Sequence, residues 1–357
     1  MKFVHIADMH FDTPFTLLSN KADLGEIRRI DQRRAFKKMI EYIQENHIPY
    51  LWIAGDLYDQ NYIRQSTIAY INELFSQIPE TQIYITPGNH DPYLKNSYYA
   101  TYNWSKNVKI FSSKIEKIET PEADIYGFGF DDFYCYESAI ENIQIENPEK
   151  MNIFITHASV DASQQEERNY NAISSKKLKS LGFDYIALGH IHKSNLSNEN
   201  QRILYPGSTI ALGFDELGKH GMLVGDITKE KIQIEFIPLD EKEFIEQCLE
   251  IDNYQTIEEL VEAIQHLVLE EHKLYKLKLV GNRNFEIPIY KLEKMIEQRN
   301  ILKIKDETKI GYPIEELAND ITLKGIFIKE MQKKLKEETQ DTEMIEKAIE
   351  IGIEILS

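Results

Sequence analysis

The chain has 357 residues, of which 42% are hydrophobic and 11% aromatic, ample for about two packed domains. Its formal net charge of −18 excludes a nucleic-acid-binding surface spread over the whole chain, although local patches could still carry contacts. No apolar run approaches the roughly 18 to 20 residues that span a bilayer, and Met1 to Val4 lead straight into a strand-like segment, so no membrane attachment is expected and the expected compartment is the cytoplasm.

Residues 1–239 alternate apolar runs of strand length with amphipathic runs of helix length, the pattern of an α/β layered domain. Five runs read as strands that each end in a polar group. Phe3 to Ile6 precedes Asp8-Met9-His10, and Leu51 to Ala54 precedes Gly55-Asp56-Leu57-Tyr58-Asp59. Ile83 to Thr86 precedes Gly88-Asn89-His90-Asp91, Ile153 to Ile155 precedes Thr156-His157, and Tyr185 to Leu188 precedes Gly189-His190-Ile191-His192. Helices are predicted over Arg33 to Asn46, Ser66 to Gln77 and Ser174 to Leu181. Gly221 to Ile227 and Lys231 to Ile237 read as a hairpin, and Pro238-Leu239-Asp240 marks the expected boundary.

Beyond it, residues 240–306 read as a small βαβαβ cap. Its strands are Phe244 to Ile251, Leu274 to Val280 and Ile301 to Ile304, and its helices are Ile257 to Leu269 and Ile289 to Gln298. Asp306 to Pro313 is expected to be a linker. Residues 315–357 then form a helical segment of two amphipathic helices, Thr322 to Glu338 and Thr342 to Leu356. Leu323, Ile326, Phe327 and Met331 mark a stripe on the first, and Ile345, Ala348, Ile349, Ile353 and Leu356 mark one on the second. Such stripes serve either mutual packing or a partner groove. Cys135 and Cys248 have no CxxC spacing and are expected to be buried packing residues.

In extended chain, side chains i and i+2 point the same way, so Asp8 and His10 can address one ion, as can His190 and His192. Carboxylate, imidazole and amide oxygen donors without thiolate suit Mn²⁺, Fe²⁺ or Zn²⁺. Asp8, His10, Asp56, Asn89, His157, His190 and His192 are too many ligands for one ion and fit two that share a carboxylate. Two such metals about 3.5 to 4 Å apart generate hydroxide at neutral pH and stabilise in-line displacement at phosphorus. Any one of these motifs alone reads as structural, but half of the ten histidines fall in them, each after an apolar run. His5, His47, His220, His266 and His272 keep a structural reading. Arg28, Arg29, Arg33, Arg34, Lys37 and Lys38 form the strongest basic cluster, more often a solvated face than a phosphate site. Tyr93, Tyr98, Tyr99, Tyr102 and Trp104 suit packing or, less often, base stacking.

The order Asp8-x-His10, Gly55-Asp56-x-x-Asp59, Gly88-Asn89-His90-Asp91, Thr156-His157 and Gly189-His190-x-His192 resembles the calcineurin-like metallophosphoesterase superfamily. His5 to His10, together with Tyr205-Pro206-Gly207-Ser208, is similar to its DNA-repair nuclease branch, the SbcD nucleases and YhaO-like proteins. That resemblance implies a four-layer αββα sandwich of two mixed sheets. It implies a first ion on Asp8, His10, His192 and Asp56, and a second on Asp56, Asn89, His157 and His190, with Mn²⁺ foremost. It makes His90 the group that stabilises the transition state or protonates the leaving oxygen, and Asp59 the residue that orients it. Asp91 would instead position the loop. Implied partners are DNA and an SMC-like coiled-coil ATPase, and a homodimer is compatible. The expected function is DNA end cleavage by a bridging hydroxide, with a small-molecule phosphodiesterase or phosphatase as the alternative and a non-catalytic scaffold as a third reading.

Overall fold

A computed structural model describes residues 1–15, 24–136, 140, 143–161, 170–196, 201–311, 317–336 and 342–356. The chain divides into two compact units, Met1–Phe244 and Ile245–Ser357. The strands of the first are β1 (Lys2–Ile6), β2 (Tyr50–Ile53), β3 (Gln82–Ile85), β4 (Val108–Ile110), β5 (Glu116–Glu119), β6 (Ala123–Phe128), β7 (Met151–His157), β8 (Tyr185–Gly189), β9 (Ile203–Leu204), β10 (Gly221–Ile227) and β11 (Ile232–Pro238). They form a six-stranded sheet, β11-β10-β1-β2-β3-β4, and a five-stranded one, β5-β6-β7-β8-β9. In the first sheet β1 to β4 run parallel and the β10–β11 hairpin adds antiparallel to β1. In the second, β6 to β9 run parallel.

The sheets pack face to face through alternate side chains. Phe3, Trp52 and Tyr84 from one sheet share a buried cluster with Ile153, Ile155 and Tyr185 from the other, and the Phe3 and Trp52 rings stack at 4.0 Å. A side chain of this size contributes about 1.5–3 kcal/mol when fully buried. The inward residues end small at one end of the strands: Phe3, His5 and Ala7 on and after β1, Tyr50, Trp52 and Ala54 on and after β2, and Tyr185, Ala187 and Gly189 on β8. At Gly189 the approach is backbone to backbone, since a Cβ there would lie 1.8 Å from the Ala54 carbonyl oxygen. The outer face of the second sheet is covered by α4 (Ser175–Ser180), whose Leu178 packs with Phe154, Ile186 and Leu188. The first sheet is flanked by α1 (Leu24–Glu45) and α2 (Gln65–Ser76), joined through Phe36 and Phe75. This is the expected αββα order. The sequence pattern does not reveal β4 to β6: β4 has three residues, β5 is charged at three of its four positions, and β6 carries a buried Asp124 and a glycine.

α1 starts well before the predicted Arg33. Its buried face carries Arg28, Asp31 and Gln32, polar residues that interrupt the apolar period without interrupting the helix. Most of the basic cluster faces acidic partners. Arg28 is 1% exposed and grips Asp240 with two hydrogen bonds of 2.9 and 2.7 Å, while also donating to the Ala211 carbonyl. Arg33, Arg34, Lys37 and Lys38 lie within 4.0 Å of Asp12, Asp31, Glu41 and Glu241 respectively. The aromatic run after β3 packs instead of facing solvent. Tyr98, Tyr102 and Trp104 are half-buried around a short α3 (Tyr98–Thr101), Tyr99 is buried, and their rings touch one another.

In the second unit, β12 (Glu243–Glu250), β13 (Lys273–Val280) and β15 (Ile301–Asp306) form one sheet. α5 (Ile257–Gln265) and α6 (Ile289–Met295) bury Leu260, Ile264 and Leu292 against it. The described part of the expected linker is structured: β16 (Lys309–Ile310) pairs with β14 (Asn282–Arg283), and Asp306 anchors a turn through Thr308. Residues 312 and 313 of that linker, 315 and 316 of the helical segment, and 337 and 338 of its first helix lie outside the described residues. α7 (Leu323–Lys336) and α8 (Thr342–Ile355) pack on each other through Phe327, Ile328, Met331, Ile345, Ile349 and Ile353. Leu323 and Ile326, expected on the buried stripe, are exposed, because Ile328 takes the centre of the contact. Cys248 is exposed on the outward register of β12 and Cys135 is half-buried, so neither is a fully buried packing residue.

Removing one partner of a buried ion pair leaves the other charge stranded, at a cost of about 3–5 kcal/mol. We predict that Arg28→Ala lowers unfolding stability by about this amount, while Arg34→Ala, whose side chain is 61% exposed, changes it by less than about 0.5 kcal/mol. Urea denaturation of the two variants measures the difference, and a loss below about 1 kcal/mol for Arg28→Ala would contradict this account.

Candidate metal centre

Five parallel strands from the two sheets end at one place. β1 delivers Asp8 and His10, β2 delivers Asp56, β3 delivers Asn89 and His90, β7 ends in His157, and β8 leads into His190 and His192. The turns that aim these side chains are tight. Asp8, His10, Asp56 and His190 all adopt positive φ (51°, 50°, 52° and 105°), a conformation sparsely used outside glycine and concentrated at functional sites. The segment after β1 is laid along the segment after β2: the Asp8 N–H donates to the Gly55 carbonyl and the His10 N–H to the Asp56 carbonyl. From behind, the buried Gln32 amide on α1 donates to the carbonyls of Met9 and His10 at 2.7 and 2.8 Å.

Ring nitrogens and carboxylate oxygens converge. His10 Nε2 lies 3.2 Å from His192 Nε2 and 3.7 Å from Asp56 Oδ2, and His192 Nε2 lies 3.7 Å from Asp8 Oδ1. His157 Nε2 is 3.3 Å from Asp56 Oδ2 and 3.1 Å from Asn89 Oδ1. Among the described residues, three sets offer ligand atoms mutually within 4.8 Å: Asp8 with His10 and His192, Asp8 with Asp56 and His157, and His10 with Asp56 and His90. His190 is not in such a set. Its ring lies edge-on to His157 at 5.1 Å, and its backbone N–H donates to both oxygens of Asp8. His90 is as near Asp56 as a ligand would be, but its side chain is 45% exposed and its Nδ1 is 3.7 Å from Asp59. Asp59 also caps its own loop by accepting the Asn61 N–H.

The residues fit divalent ions on two grounds besides donor type. Asp8 and Asp56 are 0% and 2% exposed, and among the described residues their ion-pair partners are histidines alone. Buried carboxylates require compensation. Burial disfavours the charged His157 ring, yet the Asp56 carboxylate outweighs it and lifts its pKa to about 9. His192 is likewise held at about 9 against burial by Glu216 and Asp8. Burial pushes Asp8 up to about 6. The buried carboxylates thus favour positive charge at this place, which is what a divalent cation supplies. The second ground is close approach: a Cβ on Gly88 would lie 2.3 Å from Asp56 Oδ1, and one on Gly55 would lie 2.4 Å from His157 Nδ1.

Supporting groups hold the rings. His157 Nδ1 donates to the Ala54 carbonyl at 2.9 Å, which leaves Nε2 free to accept from a proton or a cation. Asp91 accepts from the backbone N–H groups of Asp56, Leu57 and Gly88 and from the Tyr99 hydroxyl, tying two ligand loops together. Glu216 belongs to Phe214-Asp215-Glu216 after the Gly207 loop, a stretch placed to line the pocket but assigned no role by any motif. One of its oxygens meets His192 Nδ1 at 2.7 Å, and the other accepts from Ser208 Oγ at 2.6 Å, whose hydroxyl also meets His220. No motif spacing links residues 192 and 216, so only the fold could reveal the pair.

Partners of this kind tune metal affinity by about 10- to 100-fold. We predict that Glu216→Gln weakens binding of divalent metal by about that factor, read by titrating Mn²⁺ into metal-free protein, while the fold's melting temperature shifts little. Unchanged metal affinity would remove Glu216 from the centre.

Known proteins are similar to this chain in sequence. The chain is 29% identical over 246 residues to "Uncharacterized metallophosphoesterase YhaO" of Bacillus subtilis (strain 168), an alignment covering 66% of this chain and 60% of that protein. It is 26% identical over 344 residues to the SbcD component of the SbcCD nuclease of Staphylococcus epidermidis (strain ATCC 12228 / FDA PCI 1200), covering 86% of this chain and 85% of that one. The protein of the same name from Staphylococcus saprophyticus is 26% identical over 273 residues, with 67% and 69% covered. The family profile described as calcineurin-like phosphoesterase matches residues 1–194. That stretch is more than half of the chain and contains all eight side chains that the five strands deliver, from Asp8 to His192, and the chain belongs to the calcineurin-like phosphoesterase family.

Proposed function

We propose that this chain is a Mn²⁺-dependent phosphodiesterase acting on DNA, most plainly as a nuclease at DNA ends. Membership of the family makes it a hydrolytic enzyme of phosphoesters, and the observation that carries the rest is the likeness to an SbcD nuclease component over 85% of that protein's length. Asp8, His10, His192 and Asp56 would hold one ion, and Asp56, Asn89, His157 and His190 the other. When bound, such a pair supplies a nucleophile at neutral pH and stabilises charge on the oxygens at phosphorus. The chain's own work is to place those ligands before substrate arrives and to move a proton. His90 stands at the exposed rim, where burial lowers its pKa but Asp59 and Asp56 raise it overall. It therefore stays protonated to higher pH and donates to the leaving oxygen.

The acidic net charge and the neutralised basic run of α1 favour a second reading, a phosphodiesterase of small molecules. Linear DNA and bis-p-nitrophenyl phosphate, each incubated with the protein and Mn²⁺, separate the two. Cleavage of the small diester with DNA left intact would sink the nuclease reading for the isolated chain. The proposed partner is an SMC-like coiled-coil ATPase docking on α7, where Leu323 and Ile326 are 69% and 56% exposed. Replacing both by Glu should abolish co-purification with that ATPase and leave melting temperature unchanged. A fall of several degrees would return these residues to the chain's own core.

His90→Asn is expected to lower the rate by about 10² to 10⁴-fold while two metal equivalents stay bound. Loss of one equivalent would make His90 a ligand. Asp56→Asn should lose metal and activity together. Asp59→Asn removes the carboxylate that raises the His90 pKa, so the alkaline limb of the kcat–pH profile should move to lower pH.

A further inference from the structure

Beside the centre, a row of aromatic rings runs out to solvent. From His157, the His190 ring is edge-on at 5.1 Å, Tyr170 is edge-on to His190 at 5.4 Å, Tyr134 stacks on Tyr170 at 5.9 Å, and Tyr136 stacks on Tyr134 at 5.9 Å with the two rings 3° from parallel. Tyr134 and Tyr136 are 56% and 71% exposed. Two large rings held parallel in water contribute little to the core. Scattered exposed aromatics are ordinary, but these are aligned with each other and continuous with candidate metal residues.

The row is fixed to the centre by the backbone. The Asn171 N–H donates to the Cys135 carbonyl between the two tyrosines at 2.6 Å, and the Asn171 side chain donates to the His157 carbonyl at 2.9 Å and to Thr156 Oγ1. Asn171 is fully buried and sits at positive φ, 49°. The Tyr134–Tyr136 segment is thereby anchored to the end of β7 rather than hung on a free loop. Its charge points to the kind of ligand: Asp131 and Asp132, a few residues before, are exposed, which disfavours an anion on the platform itself. Ring faces in an acidic stretch suit an uncharged planar group whose phosphate lies elsewhere.

We propose that Tyr134, Tyr136 and Tyr170 form a stacking platform for an unpaired nucleobase of the substrate, placing the attached phosphodiester on the metal centre. This deepens the phosphodiesterase reading and rests on it. Stacking of a base on an aromatic side chain contributes about 1–3 kcal/mol, so the platform confers selectivity for base-bearing diesters and for strands with unstacked bases. Tyr134 and Tyr136 thus take the role that the sequence offered to the tyrosines after β3.

The test uses the full chain with Mn²⁺ and two substrates sharing one leaving group: the p-nitrophenyl ester of thymidine 5′-phosphate and the corresponding ester lacking the base. The readout is the ratio of their kcat/KM values. In the double variant Tyr134→Ala/Tyr136→Ala the ratio should fall by about 5- to 100-fold, chiefly through KM, and Tyr134→Phe/Tyr136→Phe should restore it, because stacking needs the ring and not the hydroxyl. A ratio unchanged within twofold in the alanine variant, or one lost equally in the phenylalanine variant, overturns the platform. Failure of the wild-type protein to hydrolyse either ester overturns the phosphodiesterase reading instead. In that event, metal-free anisotropy titration with fluorescent oligothymidylate still decides: equal affinity of wild type and alanine variant rejects the platform, and weaker binding by the variant upholds it.

Discussion

The rest of the first unit depends on one buried charge. Asp56 lies at the end of a strand covered on both faces, in a position where an unpaired carboxylate is untenable. Every nearby device answers that constraint. His157, His10 and the His90 backbone N–H turn toward its oxygens, Asp91 takes its own N–H, and Gly88 vacates the space its Oδ1 occupies. The strain held at the left-handed residues around it is tolerable because two sheets and α1 over-determine the loops. A group that demands compensation this strongly is also one that binds cations before any substrate is present.

The candidate ligand residues were legible because each follows a strand end, where an apolar run stops abruptly at a carboxylate, amide or imidazole. Periodicity gave the layers for the same reason, with inward and outward side chains alternating along covered strands. What escaped was polar chemistry placed inside otherwise apolar patterns. Arg28, Asp31 and Gln32 concealed the first two turns of α1, and Asp124 helped to conceal β6. Glu216 lies on a loop with no periodic signature, and its meeting with His192 is a product of tertiary structure. The tyrosines after β3 were misleading in the opposite sense, being aromatic and near the right loop yet consumed by packing around Trp104, whereas Tyr134 and Tyr136 carried no motif.

In the second unit, the sequence signal was sound for elements and weak for faces. α8 repeats its apolar residues regularly and buries Ile345, Ile349 and Ile353 as spacing would have it. On α7, apolar residues occupy more than one face, Leu323 and Ile326 on one and Ile328 on another, so spacing alone admits two answers. Gly352 decides between them: its missing side chain makes room for the Phe327 ring, fixing the rotation of one helix against the other.

The small size of the inward residues at the metal end has a consequence for how the two sheets are held. Large rings wedge them apart at one end, and alanine and glycine let the backbones meet at the other, where Gly189 faces Ala54. The close approach at that end brings Asp8 and Asp56 on one sheet near His157 and His190 on the other. Small residues at inward strand ends, read from alternate positions of a sequence, mark where two sheets come close enough for groups from both to share one site.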